Sequence, residues 1–298
     1  MSLRPLHLKP FLKWAGGKRQ LLPVIRATLN STQLNSTQLN STQLNSTQLN
    51  STQLYIEPFV GAGAVLFDLM PARAIINDTN ALLITCYRVI QHGVDELIER
   101  LEAHAAAHCE AYYYAVRAQD RAADYAHQSP VAHAARLIYL NKTCYNGLYR
   151  VNQRGFFNTP YGDYREPVIC DAPVLRAVHE YLRTNDVTIL QGDYAVAARR
   201  ASAGALVYFD PPYHSPTQRN FTQYAADGFG EADQVALAAL YRELSDDGAF
   251  CLLSNSDTPL MHTLYAGYSI DLVRASRAIN ARATARGPVN EVLVRNWS

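Results

Sequence analysis

An α/β fold with a doubly wound, mostly parallel sheet and an inserted helical region is the class this sequence predicts, on three observations. Short apolar runs of strand length alternate with stretches of helical period. A glycine-rich loop follows the first such run, and an acid ends the second. Between about residues 81 and 140 the pattern is helical, rich in Ala, His and Tyr, with no clear strand. Strands that alternate with helices imply parallel neighbours, because a parallel pair needs a crossover long enough to hold a helix. The helices then cover both faces of the sheet.

Taken in order, Tyr55-Ile56-Glu57 predicts a short buried strand, ended by Pro58 and the loop Phe59-Val60-Gly61-Ala62-Gly63. A helix through Val65, Leu66 and Leu69 follows, and Ala74-Ile75-Ile76 is the next strand, closing on Asn77-Asp78. Strands return at 187–190, 205–209, 250–253 and 291–294. Between 205–209 and 250–253, residues 231–244 carry Val235, Ala238, Leu240, Tyr241 and Leu244 at the spacing of an amphipathic helix. At 298 residues the chain has room for one α/β core and a smaller second domain. The expected division is 1–80 and 171–298 for the core, with 81–170 as the insertion.

Composition narrows the function classes. Apolar residues at 48% suffice for a core, and a net charge of +1 argues neither for nor against a nucleic-acid partner, so any positive surface must be local. The five cysteines (Cys86, Cys109, Cys144, Cys170 and Cys251) lie far apart with no Cys-x-x-Cys pair, which speaks against a zinc site or a disulfide framework. No stretch approaches the ~20 apolar residues of a membrane span, and the N-terminus has no signal-like apolar run. A cytoplasmic, monomeric chain without a metal is expected. One segment stands apart: from residue 29 to 53, Leu-Asn-Ser-Thr-Gln repeats five times without a mismatch. On a helix at ~100° per residue, a period of five forms no apolar stripe. It fits a polar linker made by in-frame duplication.

Two constellations carry chemistry. Strand, Gly61-Ala62-Gly63, helix, and a second strand ending in Asp78 is the pattern of a nucleoside-binding βαβ unit: the glycines admit close backbone approach, and the acid accepts from ribose hydroxyls. The pattern serves both NAD and S-adenosylmethionine, although the lack of a third spaced glycine leans away from a dinucleotide. The second is Asp210-Pro211-Pro212-Tyr213, directly after the run ending at Phe209. Two prolines make a rigid extended turn at a strand's carboxyl end, where open α/β sheets bind ligands. The Asp210 side chain and the Pro211 carbonyl can hold both hydrogens of an exocyclic amine and aim its lone pair at an electrophile, while Tyr213 can stack on the base. Such a reaction gains most from alignment.

With these residues in view, the chain resembles the Dam family of adenine-N6 DNA methyltransferases over nearly its whole length apart from the repeat. Phe11-Leu12-Lys13-Trp14-Ala15-Gly16-Gly17-Lys18 is similar to the family's N-terminal motif, and 57–63 to its cofactor loop. Asn77-Asp78 matches its ribose-binding acid, 210–213 its catalytic turn, and Asn220, Phe221 and Tyr224 the segment that closes it. Arg277-Ala278-Ile279-Asn280 and Arg286-Gly287 resemble its basic loop before the final strand. The resemblance implies an S-adenosylmethionine-dependent, Rossmann-like fold with an inserted helical target-recognition domain. It implies that Trp14, Lys18, Phe59, Gly61, Gly63, Asp78 and Asp210 bind the cofactor.

The same resemblance makes 141–150 the DNA-reading hairpin and 157–162 its continuation. Tyr145 can then wedge into the stack vacated by a flipped adenine, with Asn146 facing the orphaned base. Arg150 can pair with guanine O6 and N7, Leu148 and Pro160 can meet thymine methyls, and Lys13 can reach another base edge. Arg277, Asn280 and Arg286, with Arg274 and Arg282, would supply phosphate contacts. These positions point to duplex DNA and to 5′-GATC-3′, with a restriction endonuclease as a possible companion. Asp163 departs from the family pattern, standing where a basic or neutral phosphate neighbour is expected.

The rivals are an RNA or protein methyltransferase using the same turn, a cytosine-N4 enzyme, a catalytically silent DNA-binding regulator and a nicotinamide oxidoreductase. The 141–150 element speaks against the first, and Asp210 in place of Ser against the second. Intact Asp210, Trp14 and Lys18 speak against the third, and the lack of a proton-transfer constellation against the fourth. For the repeat, removing 34–53 is expected to leave specific activity, cofactor affinity and thermal midpoint near those of the parent, since loop closure changes by only about 0.6 kcal/mol per doubling of length. The parent should be nicked faster by protease within the repeat. A large drop in cofactor affinity on deletion would overturn the linker assignment.

Overall fold

A computed structural model describes residues 8–14, 16, 18, 20–30, 53–215, 228–276 and 288–297. The chain builds one seven-stranded sheet from β1 (Tyr55–Glu57), β2 (Arg73–Asp78), β3 (Asp186–Gln191), β4 (Leu206–Phe209), β5 (Phe250–Ser256), β6 (Ser269–Ser276) and β7 (Pro288–Arg295), in the order β3-β2-β1-β4-β5-β7-β6. The first five strands are parallel, while β7 lies antiparallel between β5 and β6. Every predicted strand forms, with ends shifted by up to three residues. The sequence pattern did not show β6. That edge strand leaves Leu272 63% exposed while Val273 is buried, so its apolar residues do not alternate toward one face.

Successive side chains along a strand point to opposite faces, and the core divides accordingly. Tyr55, Ala74, Ile76, Leu206, Tyr208 and Leu252 join one apolar cluster with α1 (Leu22–Asn30), α2 (Ala64–Leu69), α3 (Ala81–Ala106), α5 (Pro130–Thr143) and α6 (Ala172–Thr184). Ile56, Ile75, Val207, Phe209, Cys251 and Leu253 join the other, with α7 (Tyr194–Ala198), α8 (Glu231–Asp246) and α9 (Pro259–Leu264). Helices on both faces make the sheet doubly wound, as the sequence predicts. The chain runs β1 to β3 in one direction and restarts at β4 in the other, so the crevice between the carboxyl ends of β1 and β4 is the topological switch point.

The helical insertion is α3, α4 (Glu110–Ala118) and α5, with short 3₁₀ turns between the last two. Its apolar residues belong to the same cluster that covers the sheet, because α3 packs on both α5 and α6. Leu21, just before α1, and Ile25 and Leu29 within it recur every four residues and are buried. The first leucine of the repeat therefore ends a core helix, and 31–52 lies outside the described residues, as do Asn220, Phe221, Tyr224, Arg277, Asn280, Arg282 and Arg286. Along α8 the predicted stripe is displaced: Val235 is 48% exposed, and the polar Gln234 takes the fully buried position beside it. Among the described residues no helix is long and apolar enough to cross a membrane, and no group of His, Cys, Asp and Glu could hold a metal ion.

Candidate active site

At the switch point, Asp210 follows the last residue of β4 with its carboxylate largely buried. Its Oδ1 is held from two sides. Lys18 Nζ lies 2.8 Å away, and Ser254 Oγ on β5 donates at 2.9 Å. Ser254 Oγ is also paired with the Tyr208 hydroxyl at 2.9 Å, so a buried hydroxyl chain backs the carboxylate. Among the described residues no donor reaches Asp210 Oδ2 or the Pro211 carbonyl. Burial pushes the Asp210 carboxyl above its ordinary value, while the Lys18 charge and the bonds from Lys18 and Ser254 hold it back down.

Lys18 reaches this point from the N-terminal segment, whose Phe11 and Leu12 are buried in the core. Its ammonium also donates to the Gly16 carbonyl at 2.6 Å and sits 4.5 Å from the centroid of the Tyr213 ring. The Tyr213 hydroxyl donates to Glu291 on β7 at 3.1 Å, which fixes the ring plane. The rest of the turn rests on buried amides. Gln234 Nε2 donates to the Pro212 carbonyl at 2.9 Å, and Asn255, itself donating to Gln234 Oε1 at 3.1 Å, accepts from His214 N–H at 3.0 Å. Gln234 and Asn255 are both fully buried, so the turn is braced by groups that have no water to turn to.

The nucleoside side is equally ordered. Asp78 at the end of β2 accepts from Gly61 N–H at 3.1 Å and from Asn80 N–H at 2.9 Å, which ties the glycine loop to the strand. Burial raises the Asp78 carboxyl, and these backbone donors oppose the rise. Gly63 has φ +72°, and a Cβ there would lie 2.6 Å from the Tyr87 hydroxyl, so only glycine fits. Glu57, buried behind the loop, accepts from Tyr55 OH at 2.9 Å, and its carboxyl is pushed up to about 8 by burial. Phe59 stacks on Tyr194 (4.9 Å, 25°), with Phe229 edge-on to both. The sequence analysis missed Tyr194, Phe229, Ser254 and Gln234. Gly192-Asp193-Tyr194 just past β3 repeats the acid-after-strand signal of Asp78 and could have been found.

The residues expected to read DNA form a second surface joined to the first. Residues 141–143 are the last turn of α5, Tyr145–Gly147 is a 3₁₀ turn, and antiparallel bridges join Cys144 to Tyr161 and Val151 to Phe157. Tyr145 is 53% exposed and its N–H donates to the Pro160 carbonyl at 2.9 Å. Asn146 stands exposed at φ 55°, Leu148 is half-buried, and Pro160 is exposed. The Arg150 guanidinium is steadied by Asn158 through Nε (2.7 Å to Oδ1) and Nη2 (3.3 Å to the carbonyl). Beneath it Asp120 accepts the Phe157 N–H at 2.8 Å and pairs with the buried Arg136 at 3.0 Å, which pins the hairpin to α5. Trp14 lies against Gly61 and stacks on Tyr149 (5.3 Å, 25°), bridging the two surfaces. Asp163 is exposed with φ 44°.

Comparison with known proteins finds matches over most of the chain. The family model described as D12 class N6 adenine-specific DNA methyltransferase matches residues 14–279. The chain is 39% identical over 98% of its length to the type II methyltransferase M1.LlaDCHI of Lactococcus lactis subsp. cremoris, covering 96% of that protein. It is 39% identical to the type II methyltransferase M.MjaIII of Methanocaldococcus jannaschii, over 98% of this chain and 100% of that one. To the DNA adenine methylase of Serratia marcescens it is 32% identical, over 96% and 97%.

The site makes a pH prediction. With Asp210 as the acceptor of the substrate amine, the carboxylate must be ionised, so turnover should be lost as pH falls through its raised pKa. Ser254→Ala removes one bond that lowers that pKa. The acid limb of the kcat–pH profile should therefore move to higher pH. An unmoved limb would show that Ser254 does not tune the carboxylate.

Proposed function

Because the chain belongs to the D12 class of N6 adenine-specific DNA methyltransferases, we propose that it uses S-adenosylmethionine to methylate a flipped-out adenine within 5′-GATC-3′. The observation that carries this reading is the Asp210 carboxylate, anchored through Oδ1, with no donor from the described residues on Oδ2 or on the Pro211 carbonyl that follows it in the turn. Oδ2 and the carbonyl are acceptors for the two hydrogens of the N6 amine, and their pull aims the nitrogen lone pair out of the base plane. A base between the prolines and Tyr213 would meet the ring face turned away from Lys18.

S-adenosylmethionine fits the other half of the crevice. Asp78 would accept from the ribose, Phe59 with Tyr194 offers aromatic surface to the adenine, and Trp14, Gly61 and Gly63 line the approach. When bound, the cofactor supplies a methyl group on a sulfonium sulfur, the electrophile an amine lone pair needs. The protein's share is positioning: Lys18 neutralises and orients Asp210, and the Gln234–Asn255 pair holds the turn at fixed depth. Residues 81–170 form the target-recognition unit. Tyr145 fills the gap left by the flipped base, Asn146 faces its partner, Arg150 reads guanine, and Leu148, Pro160 and Lys13 complete the contacts. Arg277, Asn280 and Arg286 take phosphates. One chain carries both halves, which supports a monomer; a duplex DNA substrate is in keeping with the cytoplasm, and the type II names of two relatives support a companion endonuclease.

Duplexes containing GATC and each single-base change, incubated with labelled S-adenosylmethionine and mapped by sequencing, test the proposal. Asp210→Ala is expected to lower kcat by about a hundredfold or more, the cost of losing alignment; turnover within tenfold of the parent would overturn the role of Asp210. Arg150→Ala should remove about 1–3 kcal/mol of discrimination at one guanine. An equal loss on every site would make Arg150 a phosphate clamp or a structural residue instead.

A further inference from the structure

Asn141, fully buried in the last turn of α5, makes three bonds to two loops that the sequence keeps apart. Its Oδ1 accepts the Lys13 N–H at 2.9 Å, and its Nδ2 donates to the Lys13 carbonyl at 2.7 Å, across 128 residues. The same Nδ2 donates to the Gly147 carbonyl at 2.9 Å in the turn that carries Tyr145 and Asn146. Pairing both the N–H and the C=O of one residue is what a neighbouring antiparallel strand does, so the Lys13 backbone is pinned at both polar groups.

Gly147 completes the arrangement. It is buried at φ +65°, and a Cβ there would lie 2.6 Å from Lys13 Cδ and 2.8 Å from Lys13 Cβ. The lysine stem thus crosses the floor left by the missing side chain, and its ammonium comes to rest 4.7 Å from the centroid of the Tyr164 ring. Lys13 is nevertheless exposed, beside the turn that exposes Tyr145.

We propose that Asn141 and Gly147 form a slot that aims the Lys13 side chain at the duplex, with Asn141 a positioning residue that sets site preference through Lys13 without touching DNA. The inference rests on the reading of Lys13 as a DNA contact. It places one determinant of specificity in the interior, where a buried amide fixes the register between the cofactor-side segment and the DNA-reading turn.

A double-mutant cycle on the full chain tests it, using methylation of GATC and singly substituted duplexes. Asn141→Ala should raise KM for DNA and flatten discrimination by about tenfold, the size of coupling between contacting residues, with kcat at saturating DNA close to the parent's. In a Lys13→Met background the same change should add almost nothing. Gly147→Ala leaves the amide intact but obstructs the slot, and its loss of discrimination should also vanish in that background. It carries the test if Asn141→Ala no longer unfolds cooperatively. Fully additive losses would overturn the inference while leaving the enzyme's function intact. A parent chain that methylates no adenine in duplex DNA would overturn the reading of Lys13 and this inference with it.

Discussion

A carboxylate taken out of water at the end of a central strand needs counter-charge and donors close at hand, or it takes up a proton. Asp210 is such a group, and much of the molecule is arranged to meet that need. Lys18 is delivered by a segment rooted in the core through Phe11 and Leu12, Ser254 by the adjacent strand, and the Tyr208 hydroxyl by the residue two before Asp210 on β4. Among the described residues, the carboxylate is committed on one oxygen and meets no donor on the other. That asymmetry sets it apart from an ordinary buried ion pair, in which both oxygens would be spent on structure.

The same economy of buried polar groups governs the turn and the recognition surface. Gln234 and Asn255 have no solvent, so their bonds to each other, to Pro212 and to His214 cannot be exchanged for water and the turn is held stiffly. In the helical insertion, Arg136 meets backbone carbonyls of α4, the Tyr125 hydroxyl and Asp120, and Asp120 passes the constraint on to Phe157 in the hairpin. Glu57 belongs to the same layer. At about 8, its carboxyl is mostly protonated at neutral pH, which spares the crevice a second buried negative charge near Asp210.

Continuity between the halves follows from aromatic and amide contacts more than from any linker. Trp14 touches the glycine loop on one side and stacks on Tyr149 on the other, and Asn141 grips the residue before it. A molecule that binds a nucleoside beside Phe59 and a duplex beside Tyr145 therefore meets one connected set of side chains. Tyr145 and Arg150 stand exposed, while the groups that hold their backbone and side chains lie beneath.

The sequence by itself determined the fold class, the positions of six of the seven strands and the residues of the turn. Apolar periodicity, the loop ending at Gly63 and the prolines after Asp210 are local properties, and local properties survive folding. It also singled out Asp210 from the proline turn at a strand end and Lys18 through family resemblance, but showed no pairing between them. What only the tertiary structure decided are the partners. Ser254 looks like one more residue of an apolar strand, Asn141 like the polar end of a helix, and Gln234 like the exposed neighbour of Val235. Each acquires its role from a group far away in sequence, brought near by the order of strands about the switch point. Pattern reports which face a residue prefers; which donor meets which acceptor is settled by packing, since a buried polar atom must find its partner wherever the fold has put one.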